Sequence, residues 1–248
     1  MQLSVISPFA NIYKKNNLKS GLVTQIIFGE KFKVKKRIGL FYKGYKVYDN
    51  YPGFIKVDDL AKDKHKKTHK VTSKKTFLYK KPNLNFKTKK QIYFNSKISI
   101  LEKNNEFIKI NNYWIKSKDV KKIEFRNKNF IDNYLIYLNT KYLWGGNSPV
   151  GIDCSALVQE LLKFNNIYCP RDTKDQIKFF TKEIKLKSIK KGDLLFWKGH
   201  VAIALNKKYL IHAFGPKKKV IKMPITKTIR EIYNKSKLDL ISIKRVKN

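Results

Sequence analysis

Cysteine is nearly absent. Cys154 and Cys169 are the only two in 248 residues, too few for a disulfide framework at this length, so a reducing compartment is expected. Arginine is scarce as well: of 56 basic residues only five are Arg, at positions 37, 126, 171, 230 and 245. The guanidinium fork that clamps phosphates and reads base edges is clustered nowhere, which argues against nucleic acid as a partner. With 18 acidic residues the formal charge is nonetheless +38. Its lysines run through every segment together with Asn and Ile, the pattern of compositional drift; a selected surface for an anionic polymer is the alternative. No stretch approaches the length of a membrane span, and the first ten residues lack a basic region followed by an apolar one. A cytoplasmic, membrane-free protein is the expectation. An apolar content of 42% with 13% aromatics is that of a globular chain.

The chemistry is concentrated between Tyr142 and Gln159. Gly145, Gly146, Pro149 and Gly151 describe an irregular, close backbone approach. From Cys154 onward, Leu157, Val158, Leu161, Leu162 and Phe164 recur at helical spacing, placing Cys154 in the first turn of an amphipathic helix. Unpaired N–H groups and the helix dipole favour an anion there, so a reactive thiolate is expected; a buried structural cysteine is the alternative.

The first half repeats itself. Shifted by 66 positions, Ile12-Tyr13-Lys14-Lys15 lies on Leu78-Tyr79-Lys80-Lys81, Gln25-Ile26 on Gln91-Ile92 and Phe28 on Phe94; shifted by 60, Phe54-Ile55-Lys56 lies on Trp114-Ile115-Lys116. The six-residue difference is an insertion in the first copy, near Gly39 to Pro52. Each copy alternates like short strands, which suggests a small β-barrel of about sixty residues. Gly29-Glu30 at a turn and Tyr51-Pro52-Gly53-Phe54-Ile55 resemble bacterial SH3-like barrels; the second copy has Asn95-Ser96 instead and no Gly before Trp114. His65 and His69 between the copies have the spacing of helical metal ligands but lack a third ligand, so no metal site is expected.

Beyond the repeat, a helical pattern over 125–138 precedes the Tyr142 stretch, the Cys154 helix ends near Asn165-Asn166, and a second helix runs through Gln176, Ile177 and Phe180. The remainder is expected to be β. Strands His200–Leu205 and Tyr209–Phe214 flank a turn at Asn206-Lys207-Lys208. A register symmetric about Asn206 sets His200 directly opposite His212, with about 5 Å between their Cβ atoms. One imidazole could then take the thiol proton while the second fixes its tautomer.

Tyr142-x-Trp144-Gly145-Gly146, Asp153-Cys154-Ser155-Ala156-Leu157-Val158, Arg171-Asp172-Thr173, Gly192-Asp193-Leu194-Leu195-Phe196, His200-Val201-Ala202-Ile203 and Ile211-His212-Ala213 resemble, in order, the NlpC family of cell-wall cysteine peptidases. The resemblance covers about residues 125–248, with Ala156 in place of the commoner Gly. It implies a multidomain chain: two small all-β SH3-like barrels (1–62 and 63–122) followed by an α+β papain-like peptidase domain (123–248). It implies Cys154 as nucleophile, His200 as general base and acid, His212 as the orienting third residue, and Tyr142 beside the thiol as an oxyanion donor. Asp153 and Ser155, with Glu30 and Tyr51 from the first barrel, would bind the free amino terminus of the substrate. The implied activity is hydrolysis of the γ-D-glutamyl to diamino acid bond of small murein peptides bearing a free N-terminal L-Ala, in peptidoglycan recycling, with no cofactor and no metal. The alternatives are a wall- or polyanion-binding protein with an inactive third domain, and an exported wall hydrolase.

Overall fold

The computed structural model describes residues 1–246 and divides into two compact units, one of residues 1–125 with 147–149, the other of residues 126–146 with the described residues from 150 onward. In the first unit, β1 (Gln2–Val5), β2 (Phe9–Tyr13), β3 (Leu22–Ile27), β4 (Lys31–Ile38), β5 (Phe41–Lys46), β6 (Pro52–Lys56) and β7 (Leu60–Ala61) form one antiparallel sheet in the order β3-β2-β6-β5-β4-β1-β7. Leu3, Ala10, Ile12, Ile26, Phe32 and Ile55 form its core. Then come β8 (His69–Val71), β9 (Lys75–Tyr79), β10 (Lys87–Tyr93), β11 (Lys97–Ile98), β12 (Glu102–Asn104), β13 (Phe107–Ile110), β14 (Tyr113–Lys116) and β15 (Val120–Lys122), in two sheets around a separate core that includes Val71, Leu78, Ile92, Ile98 and Ile115.

The second set repeats the pairings of the first. Ala10↔Ile26 becomes Thr76↔Ile92 and Leu3↔Phe32 becomes His69↔Ile98; Tyr13↔Phe54 becomes Tyr79↔Trp114 and Tyr42↔Ile55 becomes Ile108↔Ile115. Because Gly44↔Gly53 matches Ile110↔Tyr113, the extra residues of the first copy lie wholly in the β5–β6 turn. That turn is closed by the buried Lys46–Asp49 ion pair. The alternating stretch Lys97-Ile-Ser-Ile-Leu, which reads as one strand, is strand only at Lys97–Ile98 (β11); β12 begins after it. His65 and His69 do not share a helix: His69 begins β8, and the His65 N–H donates to Asp63.

In the second unit the expected helix over 125–138 is instead a 3-10 helix, Phe130–Ile136, stopped short by its own caps. Asn129 and Asp132 cap it reciprocally, and the chain turns through Asn139 at φ +62°. β16 (Asn147–Ser148) belongs to the first unit, and β17 (Gly151–Ile152) leads into α1 (Cys154–Phe164) and α2 (Thr173–Phe179). β18 (Lys182–Glu183), β19 (Leu194–Trp197), β20 (His200–Ala204), β21 (Tyr209–Phe214) and β22 (Lys219–Pro224) follow, then α3 (Ile225–Ser236) and β23 (Ser242–Arg245). The sheet order is β18-β23-β19-β20-β21-β22, and α1, buried along its whole length, packs on β20 and β21.

Helix α3 corrects the expectation that everything after α2 is β. It buries Ile225, Thr228 and Ile232, three positions one helical turn apart, and turns its lysines outward.

Candidate active site

The approach to the nucleophile is set by two glycines. Gly145 stands at φ +74°, where a side chain is strained, and a Cβ on Gly146 would lie 2.5 Å from the carbonyl oxygen of Gly151. The loop they permit closes on Asp153, the N-cap of α1. Asp153 Oδ1 accepts the Ala156 N–H (2.9 Å) and Oδ2 the Gly145 N–H (2.9 Å). Arg171 grips both oxygens, Nη1 to Oδ1 at 3.0 Å and Nη2 to Oδ2 at 2.6 Å, and Nη1 also donates to Ser155 Oγ at 2.9 Å. Asp153, Ser155 and Arg171 are all buried. They form one charge-paired cap that fixes how α1 presents its first residue. Arg171 was visible in the sequence only as part of a motif; its partner lies eighteen residues earlier, a pairing that no local pattern reports.

Cys154 is that first residue. Its Sγ lies 3.9 Å from the Gly199 carbonyl oxygen, and the Val201 N–H and Thr173 hydroxyl donate toward it. Burial, helped by the Asp153 charge, pushes the thiol up to about 11, against the lowering by Val201, Thr173 and Arg171. Desolvation thus pushes the thiol in the direction opposite to the thiolate that the helix N-terminus leads one to expect. Tyr142 is raised above its ordinary range by burial and then by Cys154 and Asp153, so it stays a protonated phenol, a donor beside the sulfur.

The imidazoles come from β20 and β21. Ile203↔Ile211 and Ala204↔Leu210 centre the hairpin on Lys207 rather than Asn206, so its continuation sets His200 opposite Phe214. The reason is local: Asn206 Oδ1 accepts the N–H groups of both Lys208 and Tyr209 and carries the turn one residue further. The two histidines are diagonal neighbours on one face, not directly opposed, and still meet, His200 Nε2 to His212 Nδ1 at 2.9 Å. Phe214 stacks on the His212 ring, 4.6 Å between centroids at 14°.

His212 Nε2 lies 3.4 Å from Met223 Sδ, a sulfur that can only accept. This favours the proton on His212 Nε2. His212 Nδ1 is then an acceptor, His200 Nε2 the donor to it, and His200 Nδ1 the free base. Burial pulls His200 down to about 4, and burial together with His200 holds His212 well below its ordinary value. Met223 was not singled out by the sequence at all, and Thr173 and Arg171 appeared there only within a motif, without the contacts described above.

A cysteine at a helix start packed on an antiparallel sheet, its sulfur against the backbone on either side of His200, with His200 and His212 in contact, is a papain-like arrangement. Residues 139–241 match the NlpC/P60 family, and residues 12–60 match the bacterial dipeptidyl-peptidase SH3 domain. Residues 139–241 form an NlpC/P60 domain. The chain is 26% identical to a dipeptidyl-peptidase 6 of Lysinibacillus sphaericus over 86% of this chain and 88% of that protein. It is 29% identical to a γ-D-glutamyl-L-lysine dipeptidyl-peptidase of Bacillus subtilis, over 84% of this chain and 77% of that one. The crystal structure of an NlpC/P60 family protein from Bacillus cereus superposes with a TM-score of 0.82 over 99% of both chains at 18% identity, a likeness of fold. With its thiol and paired imidazoles in place, the NlpC/P60 domain is a cysteine peptidase.

No helix among the described residues is long and apolar enough to cross a membrane.

Proposed function

We propose that this peptidase cleaves the γ-D-glutamyl to diamino acid bond of short murein peptides with a free N-terminal L-Ala, serving peptidoglycan recycling in the cytoplasm. The observation that carries the reading is the His200–His212 contact beside a nucleophile at the start of α1. Its substrate side is supported by the names of relatives that align along most of the chain.

His200 Nδ1 takes the proton of Cys154 as the sulfur attacks the amide carbonyl. The oxyanion is held by the Cys154 N–H, which has no acceptor within its own helix, and by the Tyr142 hydroxyl. The imidazolium gives its proton to the leaving amine, whose C–N bond breaks to leave a thioester. Water, deprotonated by the same nitrogen, attacks the thioester, and the proton returns to the departing sulfur. His212 holds the imidazole without touching substrate, so it is a positioning residue.

On this reading the substrate ammonium is met by Glu30 and Tyr51 together with Asp153 and Ser155. Asp153 is already paired with Arg171, and the Glu30 carboxylate also caps its own turn at the Ile27 N–H. We assign residues 1–62 and 63–122 to two SH3-like barrels, the second a diverged copy, supported by the matching strand registers, and 123–248 to the peptidase.

The test is mass spectrometry of L-Ala-γ-D-Glu-meso-diaminopimelate incubated with the protein, beside an N-acetylated copy and the Cys154→Ala variant. Release of L-Ala-γ-D-Glu from the free-amine peptide alone, lost in the variant, is the expected result. Cleavage of both peptides would point to an intact-wall hydrolase, and cleavage of neither to a binding protein.

A further inference from the structure

The two copies in the first unit differ in what lies along one sheet edge. In the first copy the edge strand is β3, and β16 sits against it. The Asn147 N–H donates to Gln25 Oε1 (2.9 Å), and Asn147 Nδ2 donates to the Gln25 backbone carbonyl (3.3 Å). Gln25 is positioned for this because its own Nε2 is tied to Asn11 Oδ1 at 2.9 Å. An extended segment is thus read by two acceptors on one edge residue.

Gln91 is the same residue in the second copy, since Asn11↔Gln25 corresponds to Phe77↔Gln91. β10 is likewise the outermost strand of its sheet. Gln91 Nε2 is tied in turn, to the Tyr93 hydroxyl at 2.7 Å, so its Oε1 is the group left to accept. By the shared register its backbone carbonyl points away from β9, as that of Gln25 points away from β2. Among the described residues no strand pairs with this edge, although Ile6, Ser7 and Pro8 of the first copy line the space beside it. A cleft of about 660 Å³ runs along it instead, touching every residue from Lys89 to Tyr93. Leu78, Ile92 and Ile110 supply an apolar floor.

The cleft also has a sign. Lys89 and Lys90 line it and no acidic residue does; the Lys90 ammonium donates to the Tyr113 hydroxyl at 2.8 Å, so no carboxylate compensates its charge there. Lysines on an edge strand commonly serve to prevent pairing. Beside an apolar floor and two outward acceptors they select what pairs.

We propose that the β10 edge is a docking groove for a short, extended, carboxylate-bearing peptide, added as a strand with its N–H groups on Gln91 and its carboxylates on Lys89 and Lys90. The site is separate from the thiol chemistry and independent of the substrate assigned above.

The test is amide NMR on the full chain as Cys154→Ala, titrated with acetyl-Glu-Val-Glu-Val-Glu-amide and with its neutral Gln-Val-Gln-Val-Gln counterpart. The acidic peptide should give saturable shifts at residues 89–93 and bind about tenfold more tightly than the neutral one. Gln91→Ala should weaken it about threefold or more, and the exposed charge reversal Lys89→Glu about tenfold, with the rest of the spectrum unchanged. Equal binding of the two peptides, absence of saturable shifts at 89–93, or shifts spread over lysines across the surface would each overturn the proposal.

Discussion

Burial holds Cys154 and His200 in their neutral forms, the thiol pushed up to about 11 and the imidazole pulled down to about 4. Between those values the thiol keeps its proton until a substrate or electrophile draws the sulfur forward. Alkylation of Cys154 by iodoacetamide should therefore be nearly constant from about pH 5 to 9 and climb toward 11, where the thiolate forms unaided. It should fall as pH drops through about 4, because a protonated His200 cannot accept the thiol proton. A thiolate titration near neutrality would contradict this geometry. Met223→Leu keeps the volume and removes the sulfur that accepts from His212. With a bond of that kind worth about 0.5–1 kcal/mol, kcat should fall two- to fivefold at unchanged KM. The ¹⁵N signals of His212 should show mixed tautomers; an unchanged spectrum would deny Met223 its role. Cys154, His200 and His212 were legible in the sequence because each sits inside a short ordered motif. Met223 carries no such signal, and its relation to His212 exists only through the pairing of β21 with β22.

At the scale of elements, the loop before α1 rests on backbone approach more than on side chains. Gly146→Ala places a Cβ where the Gly151 carbonyl already stands, and backbone cannot yield as a flexible side chain can. The Gly145 N–H that anchors Asp153 would shift with it, so kcat should fall about a hundredfold. Circular dichroism should stay unchanged; full activity in this variant would mean that the loop does not set the position of Cys154. α1 was legible because its apolar positions are dense and continuous. α3 was not, because Ile225, Ile229 and Ile232 are diluted among Lys227, Arg230 and Lys235 and follow directly on strand β22. The hairpin was legible as a hairpin, but its register was not, since one asparagine side chain in the turn moved the centre by a residue.

For the molecule as a whole, the half-buried His200 and the buried His212 link stability to pH. Their folded pKa values lie below the ordinary 6.5, so as pH falls from 6.5 toward about 4 the unfolded chain takes up protons that the folded chain refuses. Stability is fully present above 6.5 and is lost across that window. The lowered carboxyls of Asp63, Glu183 and Glu231 add losses in the same direction only near and below their ordinary values. Thermal unfolding followed from pH 7 to 4.5 should show a falling Tm, and the slope should shrink in a His200→Gln/His212→Gln double variant. An equal slope in that variant would place the linkage elsewhere.

The amino-acid sequence alone determined the repeat, the helix beginning at Cys154 and the pair of strands on which His200 and His212 meet, because periodicity and short motifs are local properties of a chain. Tertiary structure decided the rest. It pushed the thiol pKa upward, because burial is a property of the surroundings and not of the residue. It joined Asp153 to Arg171 and Met223 to His212 across distances that sequence does not encode, and it left β10 open where the matching edge β3 is filled, because only the folded chain shows which edges find a partner.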